Sequence, residues 1–132
     1  MSISMEINSL RDRVREYKKS LENYQQRIEQ LELLRYKVNL AMREVKLYQQ
    51  SKTNDVRVAL DMTYHLRGVF GYFQEQYYYL QGTRYCNCVT VSEELTQEIN
   101  AKIRMHQDEI CSIRESIDSL EKSIEDLNCC MG

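Results

Sequence analysis

ISMEINSLRDRVREYKKSLENYQQRIEQL, residues 3–31, carries apolar side chains at Ile3, Ile7, Leu10, Val14, Tyr17, Leu21, Tyr24, Ile28 and Leu31. The steps alternate between four and three residues, which is the a/d rhythm of a helix that lays one stripe against another helix. The far end of the chain repeats the rhythm through Ile99, Ile103, His106, Ile110, Ile113, Ile117, Leu120, Ile124 and Leu127. In both seams the last residue lies 28 positions after the first, or about 42 Å of helix at 1.5 Å per residue. Equal seams at opposite ends of one chain predict an antiparallel stem, with Ile3 near Leu127 and Leu31 near Ile99. The fold expected is all-α: an elongated antiparallel helical hairpin, a coiled-coil stem pairing 3–31 with 99–127, and a helical head. Residues 1–132 then form a single domain with stem arms 1–31 and 99–128 and a head over 32–98. A three-helix bundle, or parallel self-association of the first arm, would satisfy the same periodicity.

Between the arms the rhythm is less regular. Leu31 to Leu34 is a second step of three, read as a stammer, after which Val38, Ala41, Val45 and Tyr48 resume the alternation. QSKTND, residues 50–55, is polar and rich in N-cap residue types, which predicts a turn. A second helical stretch follows through Val56, Ala59, Thr63, Leu66, Phe70, Phe73, Tyr77 and Leu80. Gly68 and Gly71 interrupt it, at about 1 kcal/mol each relative to alanine, and suggest a bend or a close helix approach. QGTRYCNCVT breaks the pattern, and Thr90 with Glu93 reads as a capping box that opens the last helix.

Composition agrees with long helices. The 132 residues contain no proline, four glycines and 29% charged side chains. Net charge is −2, but residues 1–50 carry ten Lys/Arg against seven Asp/Glu, whereas residues 91–132 carry four against ten. A basic first arm and an acidic last arm attract each other when side by side. No apolar run approaches the roughly 18 residues of a membrane span, and the first residues lack the layout of a signal peptide. The expectation is a cytoplasmic protein without membrane insertion, exported, if at all, without a cleaved signal.

Residues able to carry chemistry are few. Cys86, Cys88, Cys111, Cys129 and Cys130 are odd in number and irregular in spacing, unlike a disulfide framework. Four of them form close pairs, but neither pair has the two-residue gap usual in zinc sites, so no metal is expected. His106, followed by Asp108 and Glu109, reads as a register-setting polar residue in an isoleucine row rather than a proton-transfer group. His65 has no nucleophile at a diagnostic spacing, and no phosphate-binding glycine loop or catalytic triad pattern occurs. Arg11, Arg13, Arg15, Lys18 and Lys19 are interleaved with Asp12 and Glu16, the composition of a solvated helix flank rather than a nucleic-acid surface. The expectation is a non-enzyme with no cofactor and no nucleic-acid partner.

The aromatic stretch GYFQEQYYYLQG, residues 71–82, is the remaining feature. Three consecutive tyrosines cover roughly 200° of a helix, so Tyr77, Tyr78 and Tyr79 cannot all face one core. Clustered aromatics outside a core mark interfaces. Leu66, Gly68, Phe70, Tyr72, Phe73, Tyr77, Tyr78 and Tyr79 are therefore the candidate partner-binding residues, shared with packing of the head.

A long heptad arm, a central region with glycine and phenylalanine, and an Ile/Leu-rich final arm together resemble the YwqH-like helical proteins of type VII secretion loci. These are similar to WXG-type secreted hairpins and accompany LXG-type toxins. The local match is HLRGVFGYF, residues 65–73, against a W-x-G followed by an aromatic residue: Gly68 and Phe73 fit, and Leu66 stands in the tryptophan's place. No Tyr-x-x-x-Asp/Glu export signal occurs. The resemblance implies a targeting factor or chaperone-like partner that pairs with the N-terminal helical domain of an LXG-type toxin, together with a second small helical protein or as a homodimer, with the partner supplying the export signal. The competing class is a structural coiled-coil scaffold or homo-oligomeric component, such as one from a phage. A prefoldin-like chaperone would need strands, for which only CVTV, residues 88–91, is a candidate.

Overall fold

The computed structural model describes residues 2–131. It is all-α: α1 runs Ile3–Thr63, α2 Arg67–Leu80 and α3 Thr83–Met131. No strand occurs among the described residues, and CVTV lies inside α3. By internal contacts the chain divides into a stem unit, made of residues up to Leu33 and from Ile99 onward, and a head unit, Leu34–Glu98.

In the stem unit the two arms are antiparallel and in the register expected from the seams. Val14 packs with Ile113 and Ile117, and Tyr17, Leu21, Tyr24, Leu120 and Ile124 close around them. Tyr24 meets His106 at a tilt of 45° with ring centroids 5.4 Å apart, a pairing that belongs to the same register as Ile3 with Leu127. Ile7, Val14, Ile99, Ile103, Ile110, Ile113 and Ile117 are all buried, and five of these seven come from α3. The acidic arm thus supplies most of the core and the basic arm most of its cover. An ion pair links them, Lys18 Nζ to Glu121 at 3.6 Å. Both of its side chains are mostly exposed, so it contributes about 0–1 kcal/mol at most. Ser2 caps α1 by accepting the Met5 backbone N–H at 3.2 Å.

Several expectations for the middle of the chain are corrected. The turn at 50–55 is absent, and α1 continues through it for a total of 61 residues. Residue types that favour an N-cap are also tolerated inside a helix, and the run at 50–55 holds no glycine or proline to interrupt the ladder. The stretch 56–80 is not one helix, because the chain turns at Tyr64–Leu66 instead. Gly68 and Gly71 lie inside α2, and a Cβ added at either would meet nothing within 4 Å, so neither serves a close helix approach. The glycine with a steric role is Gly82, where an added Cβ would stand 3.1 Å from the Tyr78 carbonyl oxygen and 3.2 Å from that of Tyr79. The capping box is also absent. Thr90 lies about two turns inside α3, and its hydroxyl donates to the Cys86 carbonyl at 3.0 Å.

The stammer is corrected as well. From Leu31 the seam of α1 steps by four to Arg35, then continues in phase through Val38, Met42, Val45 and Gln49. Arg35, Val38, Met42 and Gln49 are half-buried, whereas Leu34 is 44% exposed. The apolar residues leave the seam here, but the helix does not change phase.

Candidate partner-binding surface

The head unit is built from the second half of α1, all of α2 and the first turns of α3. Its seam positions are unusually polar. α1 contributes Gln49, whose amide donates to the Leu80 carbonyl at 3.4 Å, and the buried Thr53, whose hydroxyl has no hydrogen-bond partner. α3 contributes Ser92 and Thr96, whose hydroxyls turn back to the Val89 and Ser92 carbonyls at 2.8 Å. Such back-bonded hydroxyls satisfy themselves within one helix and do not hold two helices together. No apolar side chain in Leu34–Glu98 is buried. Sixteen of the twenty large apolar side chains that stand exposed on the described chain belong to this unit.

α2 is where the sequence places the binding residues. Phe70, Phe73, Tyr77 and Leu80 form its half-buried row, at the 3-4-3 spacing of one helix face. Tyr72, Tyr78 and Tyr79 are 58–66% exposed, and Leu66, at the N-cap, is 47% exposed. Gly68 is exposed beside open space. The candidate set is thus split: Phe70, Phe73 and Tyr77 pack inward, while Leu66, Tyr72, Tyr78 and Tyr79 face solvent. Tyr72 and Tyr79 are seven residues apart and share one flank of α2. Tyr72 meets Phe73 edge-on at 5.4 Å, Tyr77 meets Tyr78 at 6.2 Å, and the Tyr79 hydroxyl accepts from Arg84 at 3.4 Å. α2 begins without a side-chain cap and buries no residue, so its outward rings sit on the least anchored of the three helices.

Two apolar surfaces escaped the sequence reading. One is a row on the outer face of α1, with Tyr36, Leu40 and Leu47 exposed at 42–63%. The other is a groove of about 430 Å³ between α1 and α3, walled by Val38, Ala41 and Val45 on one side and by Cys88, Val91 and Leu95 on the other. The opposite side of the same helix pair is polar, with Arg43, Lys46, Glu93 and Gln97 along it. Each wall of the groove is a short apolar row at helical spacing, Val38, Ala41 and Val45 on α1 and Cys88, Val91 and Leu95 on α3, and only the pairing of the two helices joins them into one surface. All five cysteines are exposed and unpaired, and among the described residues no group of three His, Cys, Asp or Glu side chains could hold a metal ion. No helix of the described chain is long and apolar enough to cross a membrane.

Comparison with protein-family models, with curated proteins and with solved structures finds no match to this chain.

Proposed function

We propose that the chain is a non-enzymatic helical binding protein that packs the exposed apolar surface of its head unit against helices of another polypeptide. The observation that carries this reading is the imbalance within Leu34–Glu98, which buries no apolar side chain and exposes sixteen large ones. Unpartnered apolar surface on that scale is stabilised when a second protein removes it from water. Tyr72, Tyr78 and Tyr79 are the anchors on α2, since tyrosine offers large contact area with few rotatable bonds. The partner that the resemblance selects is the N-terminal helical domain of an LXG-type toxin, bound for targeting to type VII secretion. In support, Leu66 ends the turn between α1 and α2 and Arg67-Gly68 opens α2, so the resembling motif falls in the central turn region.

Co-expression with the proteins encoded beside it, followed by affinity capture and light scattering, tests the reading. A helical LXG-type neighbour should co-purify in a complex of fixed mass. Tyr78→Ala with Tyr79→Ala should weaken capture about tenfold or more while circular dichroism stays unchanged. A chain that purifies alone, and is indifferent to every neighbour, would be a structural coiled coil instead.

A further inference from the structure

We infer that the break at Gln81–Gly82 is a two-state hinge that decides which face of α2 lies on α1. In the closed state, the one seen here, Phe70, Phe73, Tyr77 and Leu80 face inward and Tyr78 faces solvent. In the open state α2 and α3 join into one unbroken helix, which turns Tyr78 inward and Phe73 and Leu80 outward. The hinge is a property of the chain alone. Only its use, to offer or withdraw Tyr78, rests on the proposed partner binding.

The phase of two rows carries the inference. The half-buried positions at the start of α3 are Tyr85, Val89, Ser92 and Thr96, in steps of four, three and four. The inward row of α2 ends at Leu80, five residues before Tyr85. On an unbroken helix that step sets the two rows about a third of a turn apart. The α3 row, carried back in its own rhythm, would pass instead through Gly82, Tyr78, Glu75 and Gly71. Phe73 and Leu80 therefore face α1 only because the helix is interrupted.

The interruption is slight. Only Gln81 and Gly82 lie between α2 and α3. Gln81 has φ −95° and ψ 4°, beside the helical region, and no described residue takes the left-handed conformation that ends many helices. The Gln81 N–H donates to Tyr77 and the Cys86 N–H to Gly82 at the ordinary four-residue spacing, while the Gly82 N–H closes to Tyr79 at three. The closed state is also lightly held. α2 buries no residue and begins without a side-chain cap. The Gln49 amide donates to the Leu80 carbonyl at 3.4 Å, an acceptor that residue 84 would use in a continuous ladder. Glycine at 82 favours this state, since an added Cβ would stand 3.1 and 3.2 Å from the Tyr78 and Tyr79 carbonyl oxygens. Opening completes the ladder across the break and gives up the half-burial of the α2 row, so the two states exchange hydrogen bonds for apolar contact.

The test uses the full chain in a cysteine-free background with single reporter thiols. Phe73→Cys should react with a maleimide about tenfold more slowly than Tyr78→Cys, as the closed state requires. Adding Gly82→Ala, which crowds the closed state, should raise the rate at 73 and lower it at 78, each by about tenfold. Gln49→Ala, which releases the Leu80 carbonyl, should move both rates in the same directions by less. Deuterium exchange of the 83–85 amides should slow in both variants. Opposite changes at the two thiols mark a turn about the helix axis. Rates that rise together, with faster amide exchange, would mean that α2 melts, and would overturn the hinge. Rates that stay as they are in both variants would make the break static, and would overturn it too. Should the opposite changes appear while Tyr78→Ala with Tyr79→Ala leaves partner capture intact, the hinge stands and the partner reading falls, so the two fail separately.

Discussion

The stem and head units share α1 and α3, yet they differ in what occupies the seam. In the stem, isoleucines fill it and the outer faces are charged. In the head, seam positions hold Arg35, Gln49, Thr53, Ser92 and Thr96, while leucine, valine and tyrosine stand outside. Phase alone positions helices, whereas the residues occupying the phase determine whether an interface is closed within the chain or left for another molecule. The stem is a finished interface. The head is an unfinished one.

Breaking the finished side should have the largest effect. Ile113→Ala removes a buried side chain from the Val14–Ile113–Ile117 cluster and should cost about 2–4 kcal/mol, read as a lowered urea midpoint at unchanged slope. Leu95→Ala, the same kind of deletion in the head, should cost less than about 1 kcal/mol in the isolated monomer, because Leu95 is already partly in water. Should both cost the same, the contrast between the units is wrong.

Improving the unfinished side comes next. Thr53 is buried with an unpaired hydroxyl, so Thr53→Val should raise stability by about 1–2 kcal/mol in a thermal or urea melt. The glycines should separate by sign. Gly71→Ala enters open space in mid-helix and should stabilise by about 0.5–1 kcal/mol, whereas Gly82→Ala presses a methyl group on two carbonyl oxygens and should destabilise. The smallest effect is expected at Lys18→Ala, below about 0.5 kcal/mol, since its ion pair with Glu121 is exposed. A larger loss there would mean that charge attraction, rather than isoleucine burial, holds the arms together.

The arms could be read from the chain because phase and apolarity coincide in them. Where they part company the reading followed apolarity, so Leu34, Ala41 and Tyr48 were taken for the seam, and a change of phase was inferred where the helix makes none. The turns were harder for a related reason. Tyr64-His65-Leu66 contains no glycine, proline, asparagine or aspartate, while the run at 50–55 contains several turn-type residues and stays helical. Neighbouring helices settle where a long amphipathic helix ends, and one sequence read locally does not contain that information. The outward orientation of Tyr78 and Tyr79 was accessible because three adjacent residues cannot share a face, whatever the surroundings. The groove was not, since it needs α1 and α3 to be side by side before its two walls belong to one surface.

The Tyr24–His106 contact has a role in indexing the stem. A row of isoleucines alternating by four and three would pair almost as well if one arm slid along the other by seven residues. Such a slip would set His106 against Tyr17 or Leu31 and leave Tyr24 facing Ile99 or Ile113 instead. The ring pair, with Arg27 lying 5.5 Å over the same tyrosine, is thus the one layer that tells a repeating zipper which tooth is which.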